Sequence, residues 1–317
     1  MRILVTGANG FLGQHVCERL LKDQHNVGAS VRRQGTAPVG TLEFVVGDLG
    51  KDVNWDDSLQ NVDAVIHLAA RVHVMDDQTS DPAAEYQRVN VDATHKLALR
   101  ARELGVKRFV FMSTIAVNGS RTGANPFDVH SEPQPSGYYG TSKWEAEQSL
   151  ATLSAEGPMS VISVRAPMVY GPDAPGNTRR LVQLAKTGLP VPLASVNNKR
   201  TLISVRNLAD LLATCATEAG LGSGLVVAAD DYSPSTAELF REISVSLGRR
   251  PRIWRLPVSI LSALGSAVGR GRDVSRLVDS LEVKNSTTVS GLAWTPIVPF
   301  QEAVHELGMH AAGRFGA

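Results

Sequence analysis

The first 21 residues, MRILVTGANGFLGQHVCERLL, constrain the fold more than any other stretch. Residues 2–5 (RILV) are a short apolar run with β-branched members, the pattern of a buried strand. Thr6-Gly7-Ala8-Asn9-Gly10-Phe11-Leu12-Gly13 then turns the chain, and Val16, Leu20 and Leu21 follow at helical spacing. Strand, glycine turn and helix in that order make a corner suited to a phosphate. Glycine permits the tight turn and puts no Cβ between backbone and ligand; the helix start offers free N–H groups and the positive end of its dipole. The spacing is G-x-x-G-x-x-G, one residue longer at the front than the dinucleotide fingerprint.

The rest of the chain agrees with an α/β reading. Strand-like runs recur at residues 25–31 (HNVGASV), 42–46 (LEFVV), 63–68 (DAVIHL), 108–112 (RFVFM) and 159–164 (MSVISV), with helical periodicity over 86–104 and 138–153. Strands alternating with helices predict a doubly wound parallel sheet covered on both faces, a Rossmann arrangement. From Pro167 the character changes, with Pro, Gly and Asn clustered over 170–177 and 188–199. Residues 201–205 and 225–229 are predicted to be strands returning to the main sheet, and Ser235-Thr236-Ala237-Glu238 is a capping box opening a helix to Leu247. The expected organisation is a dinucleotide-binding domain over 1–170, joined by strands from about 201–229, and a smaller, discontinuous substrate domain over 171–200 and 230–317.

At 317 residues the chain has length for one large domain or two ordinary ones, and its net charge of +1 leaves no basic footprint for nucleic acid. Cys17 and Cys215 both fall in apolar helical patterns, which reads as reduced core thiols and a cytoplasmic protein. Met1 is almost inside the first strand, so no signal peptide is expected. No apolar run approaches the roughly 18 residues of a membrane span. The histidines His15, His25, His73, His95, His130, His305 and His310 show no metal-ligand spacing, and no metal site is expected. His67, closing a strand, reads as structural, and Glu85, Asp92 and Glu145 as solvated helix positions.

Tyr139-Gly-Thr-Ser-Lys143 sets a phenol and an ammonium four residues apart on one helix face. A phenol is a poor acid or base near neutrality, with an ordinary pKa of about 10; a nearby lysine cation is expected to lower it and let it exchange a proton with a sugar or alcohol oxygen. Ser113 and Thr114 end a strand where ligands meet an open α/β sheet, so either hydroxyl could face the same oxygen or simply satisfy local backbone.

Taken together, these motifs resemble the extended short-chain dehydrogenases/reductases of the NAD(P)-dependent epimerase/dehydratase family, the UDP-glucose 4-epimerase relatives. The resemblance rests on Thr6–Gly13, Asp48-Leu49, His67-Leu68-Ala69-Ala70, Asn90, Ser113-Thr114, Tyr139-x-x-x-Lys143 and the block RAPMVYGP over 165–172, in chain order, and it covers nearly the whole chain. The stretches RVHVM (71–75), FVFMSTIAVNG (109–119) and GNTRRLVQLAKTGLPVPL (176–193) are most similar to nucleotide-sugar 4-reductases and 4-epimerases of bacterial O-antigen synthesis. The resemblance implies that Thr114 is the catalytic hydroxyl, Tyr139 the acid/base, and Lys143 the residue that holds the nicotinamide ribose and tunes Tyr139. It implies a cofactor site of Gly7, Asn9, Gly10, Phe11, Leu12, Gly13, Asp48, Leu49, Leu68, Ala69, Ala70, Ser113, Pro167 and Val169. Arg71, Asn118, Asn177 and Arg200 are implied on the substrate side, with Arg200 on the diphosphate. Asn118 stands where the family usually has a tyrosine, so its sugar contact is expected to differ, and Arg206-Asn207 stands where an acidic pair is commoner. A homodimer is a further expectation from the resemblance.

One departure bears on the cofactor. The second strand ends Ala29-Ser30-Val31-Arg32-Arg33, without the carboxylate that accepts the adenosine ribose hydroxyls in NAD enzymes. Arg32 and Arg33 suit a ribose 2′-phosphate, so NADP(H) is the expected cofactor and NAD(H) the alternative; the plainer reading leaves them as solvated loop arginines. NADP(H) leans the expected reaction towards reduction of a UDP-linked 4-keto-(6-deoxy) sugar for surface polysaccharide synthesis. The alternatives are a UDP-hexose or UDP-N-acetylhexosamine 4-epimerase with bound NAD, and a non-catalytic dinucleotide sensor. Finally, seven arginines between Arg249 and Arg276 flank the apolar run 260–268. They read either as a basic amphipathic surface resting near a membrane or, more plainly, as a substrate-domain helix whose arginines are solvated or face diphosphate.

Overall fold

A computed structural model describes residues 1–72, 79 and 81–314, the side chain of Arg272 excepted; residues 73–75 of the RVHVM stretch, His73 among them, lie outside the described residues. The first half runs β1 (Arg2–Thr6), α1 (Phe11–Lys22), β2 (Asn26–Val31), β3 (Leu42–Val45), α2 (Asp56–Leu59), β4 (Ala64–His67), α3 (Pro82–Tyr86), a π-helical stretch Gln87–Asp92 and α4 (Ala93–Glu103). It continues through β5 (Arg108–Thr114), a 3₁₀ turn Ile115–Val117, α5 (Gly137–Ala155), β6 (Ser160–Ala166) and β7 (Met168–Tyr170). The second half is α6 (Gly176–Thr187), β8 (Leu202–Ser204), α7 (Val205–Thr217), β9 (Gly224–Val227), α8 (Thr236–Ser246), α9 (Val258–Ala267), α10 (Gly271–Val278), β10 (Ser286–Thr287) and α11 (Phe300–Ala311).

The main sheet has the order β10-β9-β6-β5-β4-β1-β2-β3, and every pairing in it is parallel except the edge strand β10 on β9. Its central strands are buried on both faces, which is why they read as unbroken apolar runs. Ile3, Val5, Ile66 and Val110 point into a core closed by Val16, Cys17 and Leu20 of α1 and Leu208, Leu211 and Leu212 of α7. Their neighbours Leu4, Val65, Phe109 and Phe111 point the other way, onto Leu97 and Ala101 of α4 and Ala146 and Leu150 of α5. The chain runs outward from β1 to β3 and then returns to β4 on the other side of β1. The turns leaving β1 and β4 therefore part in opposite directions, and a crevice opens at their C-terminal ends.

Two features differ from the sequence expectations. The helix expected over 86–104 is broken by the π-helical stretch Gln87–Asp92, which carries the buried Asn90. The strand expected at 201–205 does not return to the main sheet; β8 pairs with β7 in a separate two-stranded sheet. Its two apolar residues, Leu202 and Ile203, meet the requirements of either partner, so composition could not choose between them. By contrast, β9 does rejoin the main sheet beside β6. A second apolar core, formed by Tyr170, Leu181 and Val182 with Phe240 and Ile243 of α8 and Val304 and Leu307 of α11, packs beside these small strands. The capping box of α8 forms as expected, Ser235 and Glu238 bonding each other's backbone.

Asn207, where an acidic residue was the commoner choice, is fully buried. Its amide nitrogen donates to Asp230 Oδ1 (2.7 Å) and to the Val298 carbonyl (2.9 Å), and its oxygen accepts from the amides of Ile297 and Val298. Asp230 also accepts from the Tyr170 hydroxyl (2.9 Å) and from the Ser204 amide (3.0 Å). The carboxylate of this junction thus comes from Asp230, and an amide at 207 is its complement.

Candidate active site

The glycine turn is built by close backbone approach. Gly7 has φ +65°, and a Cβ on it would lie 2.9 Å from the Ala69 nitrogen, so the turns after β1 and β4 touch. A Cβ on Gly13 would run into the Gly7 carbonyl oxygen. Helix α1 begins at Gly10 with no capping side chain and no acidic residue in its first turn, while Phe11 and Leu12 stay half-buried. A pyrophosphate fits such a start, where N–H groups and helix dipole face outward unopposed by a side-chain oxygen. Asn9 donates to the Thr36 hydroxyl (3.2 Å), linking the turn to the loop after β2.

That loop carries the exposed Arg32 and Arg33, and among the described residues neither forms an ion pair. Its shape is set from the next strand. The Glu43 carboxylate accepts the backbone N–H groups of Gly35 (3.0 Å), Thr36 (3.1 Å) and Ala37 (3.1 Å), which hold it below the usual carboxylate range. Asp48, also exposed, accepts from the Gly50 amide (2.9 Å), and Leu49 packs on the core.

Behind the turn, His67 is wholly buried between two hydroxyls, Thr6 at 2.7 Å from Nδ1 and Thr94 at 2.9 Å from Nε2. Thr94 donates its proton to the Asn90 carbonyl (2.8 Å), so it accepts from Nε2–H; Nδ1 is then the acceptor for Thr6. Thr6 in turn accepts from the Ala69 amide (3.2 Å). Burial, with the Lys143 charge adding, pushes His67 down to about 3, so the ring is neutral and structural. Asn90 continues the chain to the backbone of Arg71 and to the Ser142 hydroxyl (3.0 Å), which bonds the Tyr139 carbonyl. A continuous hydrogen-bonded path therefore joins the glycine turn to the helix that carries Tyr139.

Helix α5 lies directly on the end of β5. Ser136 donates its amide to the Ala116 carbonyl (3.0 Å), and a Cβ on Gly140 would sit 2.8 Å from the same oxygen. Tyr139 is thus held beside the segment that begins at Thr114. Thr114 ends β5 half-exposed, its Oγ1 accepting from the Ala116 amide (3.2 Å). The Tyr139 ring lies 6.4 Å from that of Tyr86, over which the Arg71 guanidinium sits at 5.5 Å.

One turn further along α5, Lys143 is 1% exposed, donating to the Met112 carbonyl (2.8 Å) with its nitrogen 4.4 Å from the Phe111 ring centre. Burial brings it down to about 7, with Glu147 opposing. The expectation that Lys143 lowers Tyr139 is not met in this structure: burial, then Tyr86, pushes Tyr139 up to about 12. The Lys143 ammonium is directed at the Met112 carbonyl and does not offset that desolvation.

Beneath Lys143 lies an ion pair that the sequence motifs did not single out. Arg165 of β6 holds Glu147 through Nη2–Oε2 at 2.6 Å and Nε–Oε1 at 3.0 Å, both side chains under 7% exposed. Ser113 donates to the same carboxylate, and Asn118 Oδ1 accepts from Arg165 Nη1 (3.1 Å). Two expectations change accordingly. Ser113 is 1% exposed and engaged with Glu147, and Asn118 is 2% exposed, its amide also bonding the Ser131 carbonyl (3.1 Å). Here Asn118 serves the packing of the loop after β5 and presents no free polar atom to a sugar. The available signal was Glu147 itself, which continues the Tyr139 and Lys143 series by one more helical turn.

On the remaining flank Pro167 is buried and Val169 half-buried in β7. Asn177 is exposed in the first turn of α6. Arg200 is half-buried, its Nη1 3.4 Å from the Asp279 carbonyl, and burial lowers its proton affinity. Among the described residues no group of three or more side chains could hold a metal ion.

A parallel sheet with its crevice between β1 and β4, a glycine-built phosphate corner there, and a Tyr–Lys helix over β5 define an enzyme class. The profile of the NAD dependent epimerase/dehydratase family matches residues 3–228, and the chain is an enzyme of that family. The UDP-glucose 4-epimerase of Vibrio cholerae is 38% identical over 305 residues, spanning 95% of this chain and 92% of that one. The N-acetyl-alpha-D-glucosaminyl-diphospho-ditrans,octacis-undecaprenol 4-epimerase of Escherichia coli O157:H7 is 26% identical over 257 residues, 80% of this chain and 75% of its own. Among solved structures, MoeE5 in complex with UDP-glucose and NAD superposes with a TM-score of 0.76 at 26% identity over 99% of both chains.

Proposed function

We propose that this enzyme performs oxidoreduction at C4 of a UDP-linked hexose, with 4-epimerisation as the first reading. The observation that carries it is the placement of Tyr139 and Lys143 on α5, against the Thr114 segment and joined by hydrogen bonds to the glycine turn. The Vibrio cholerae relative, named for epimerisation at that carbon, supports the choice of substrate and reaction.

A bound nicotinamide dinucleotide supplies the hydride acceptor and donor. The turn from Gly7 to Gly13 receives its diphosphate, with Leu68, Ala69 and Ala70 lining the crevice and Asp48 and Leu49 at the adenine end. Thr114 offers a half-exposed hydroxyl to the C4 oxygen, and Tyr139 exchanges the proton there. With Tyr139 at about 12, that exchange needs a more cationic surrounding than the one seen here. Lys143, on the same helix face, is the group able to provide it. Arg200, Arg71 and Asn177 frame the substrate side, Arg200 through the fork geometry that suits a diphosphate.

A second reading is net reduction of a UDP-4-keto sugar with NADPH. It is favoured by one observation: the loop after β2 presents Arg32 and Arg33, while the carboxylate of Glu43 is occupied by backbone amides. Titrating cofactor-stripped enzyme with NADH and NADPH, and then assaying UDP-glucose, UDP-galactose, the UDP-N-acetylhexosamines and a UDP-4-keto sugar, separates the two. Interconversion of sugars without net loss of cofactor supports the epimerase. Consumption of NADPH by a UDP-4-keto sugar, with the preference lost in Arg32→Asp, supports the reductase. Absence of both reactions overturns the assignment to UDP-sugars.

A further inference from the structure

The hairpin of α9 and α10 carries an apolar surface that the fold leaves open. Helix α9 is apolar on two faces. Val258 and Leu261 pack on the second core, and Gly265 meets Val274 of α10 too closely for a Cβ to fit. On the other face Ile260, Ala263, Leu264 and Ala267 recur at i, i+3, i+4 and i+7, all exposed. Ile260 is 47% exposed, Leu264 57%, and Val268, just past the helix, 70%. Single exposed leucines are ordinary, but a contiguous exposed apolar ridge on a helix whose opposite face already packs on the core calls for a cover.

The ridge is bordered by positive charge. Arg249, Arg250, Arg252 and Arg255 lie on the approach to α9, and Arg270 and Arg276 flank the turn into α10; all six are exposed. From 249 to 278 the only acidic residue is Asp273, which lies 4.0 Å from Arg276. The other five form no ion pair among the described residues. Since the whole chain carries only +1, this positive charge is local. Ser266, Gly269, Arg270, Gly271, Asp273 and Arg276 line a concavity at the end of the ridge.

We propose that this hairpin docks on the surface of a bilayer containing anionic phospholipids, the α9 ridge lying among the acyl chains and the arginines on the headgroup phosphates. The charge pattern favours lipid over a second copy of the chain, because a two-fold interface here would set one arginine border against another. The hairpin does not cross the membrane, since no described helix is long and apolar enough. Its end is fastened to the substrate flank: Asn198 donates to the carbonyls of Leu277 (3.1 Å) and Asp279 (2.9 Å), next to Arg200. Docking would hold that flank close to the lipid surface.

The test is flotation of the full-length protein with vesicles of phosphatidylcholine alone and of phosphatidylcholine mixed with phosphatidylglycerol. Binding is expected only to the mixed vesicles, falling with added salt. Ile260→Glu with Leu264→Glu should weaken it by at least about tenfold. Each of Arg250→Gln and Arg270→Gln should weaken it roughly fivefold, as loss of one charge near an anionic surface requires. All these positions are exposed, so melting temperature and turnover of soluble substrate should hold. The proposal is overturned if the wild type ignores anionic vesicles, or if the Glu pair floats as well as the wild type. It is equally overturned if light scattering finds a dimer that Leu264→Glu dissociates while no vesicle binding occurs.

Discussion

Gly140 and Ala116 are in backbone contact: a Cβ at 140 would lie 2.8 Å from the Ala116 carbonyl oxygen. Alanine in a helix interior is ordinarily worth about 1 kcal/mol over glycine, but here the methyl would push α5 off the end of β5. Gly140→Ala should therefore destabilise the protein. Tyr139, the preceding residue, would move with the helix, and a displacement near 1 Å costs about a hundredfold in rate. Thermal melting and kcat, with cofactor binding as the control, check both effects.

Tyr139→Phe removes the phenol hydroxyl and keeps the ring beside Tyr86. Turnover should drop by roughly 10² to 10⁴. Dinucleotide binding, measured by fluorescence titration, should be retained. Loss of binding instead would place Tyr139 in the cofactor site alone.

Burial of Lys143 carries a desolvation cost for the fold. Its pKa is about 7 in the folded protein against 10.5 unfolded, so between those values the unfolded chain binds the extra proton. Stability should rise with pH through that window, and below about 7 the full penalty applies. Lys143→Met removes the penalty. It should stabilise the fold at pH 7 by an amount of order a few kcal/mol, seen as a higher melting temperature that rises less towards pH 10, while abolishing turnover.

Arg165 and Glu147 test the opposite case. Removing one partner, as in Arg165→Ala, leaves a buried carboxylate uncompensated and should cost about 3–5 kcal/mol in urea unfolding. Arg165→Met combined with Glu147→Leu should recover part of that loss, since no charge is then stranded. If the single and double variants were equally unstable, the pair would owe its effect to volume and not to charge.

Local relationships were the ones legible in the sequence. The corner from β1 into α1 is contiguous, and Tyr139 and Lys143 share a helix face by spacing alone, so both could be read from order and periodicity. What escaped was decided by distant partners. Asn118 looks available until Arg165, 47 residues on, takes its oxygen. The substitution at Asn207 acquires meaning only beside Asp230. The sign of the shift at Tyr139 depends on how much water is excluded, which no motif records. The short strand β8 is placed by β7, not by its own residues.

The loop after β2 owes its form to Glu43, on the neighbouring strand, and to Asn9, while the side chains of Arg32 and Arg33 contribute nothing to that scaffold. Under the proposed role of Arg32 and Arg33, recognition and architecture sit at separate positions. Substitutions at 32 and 33 would then alter the choice of dinucleotide while the Glu43 and Asn9 bonds that shape the loop stay in place.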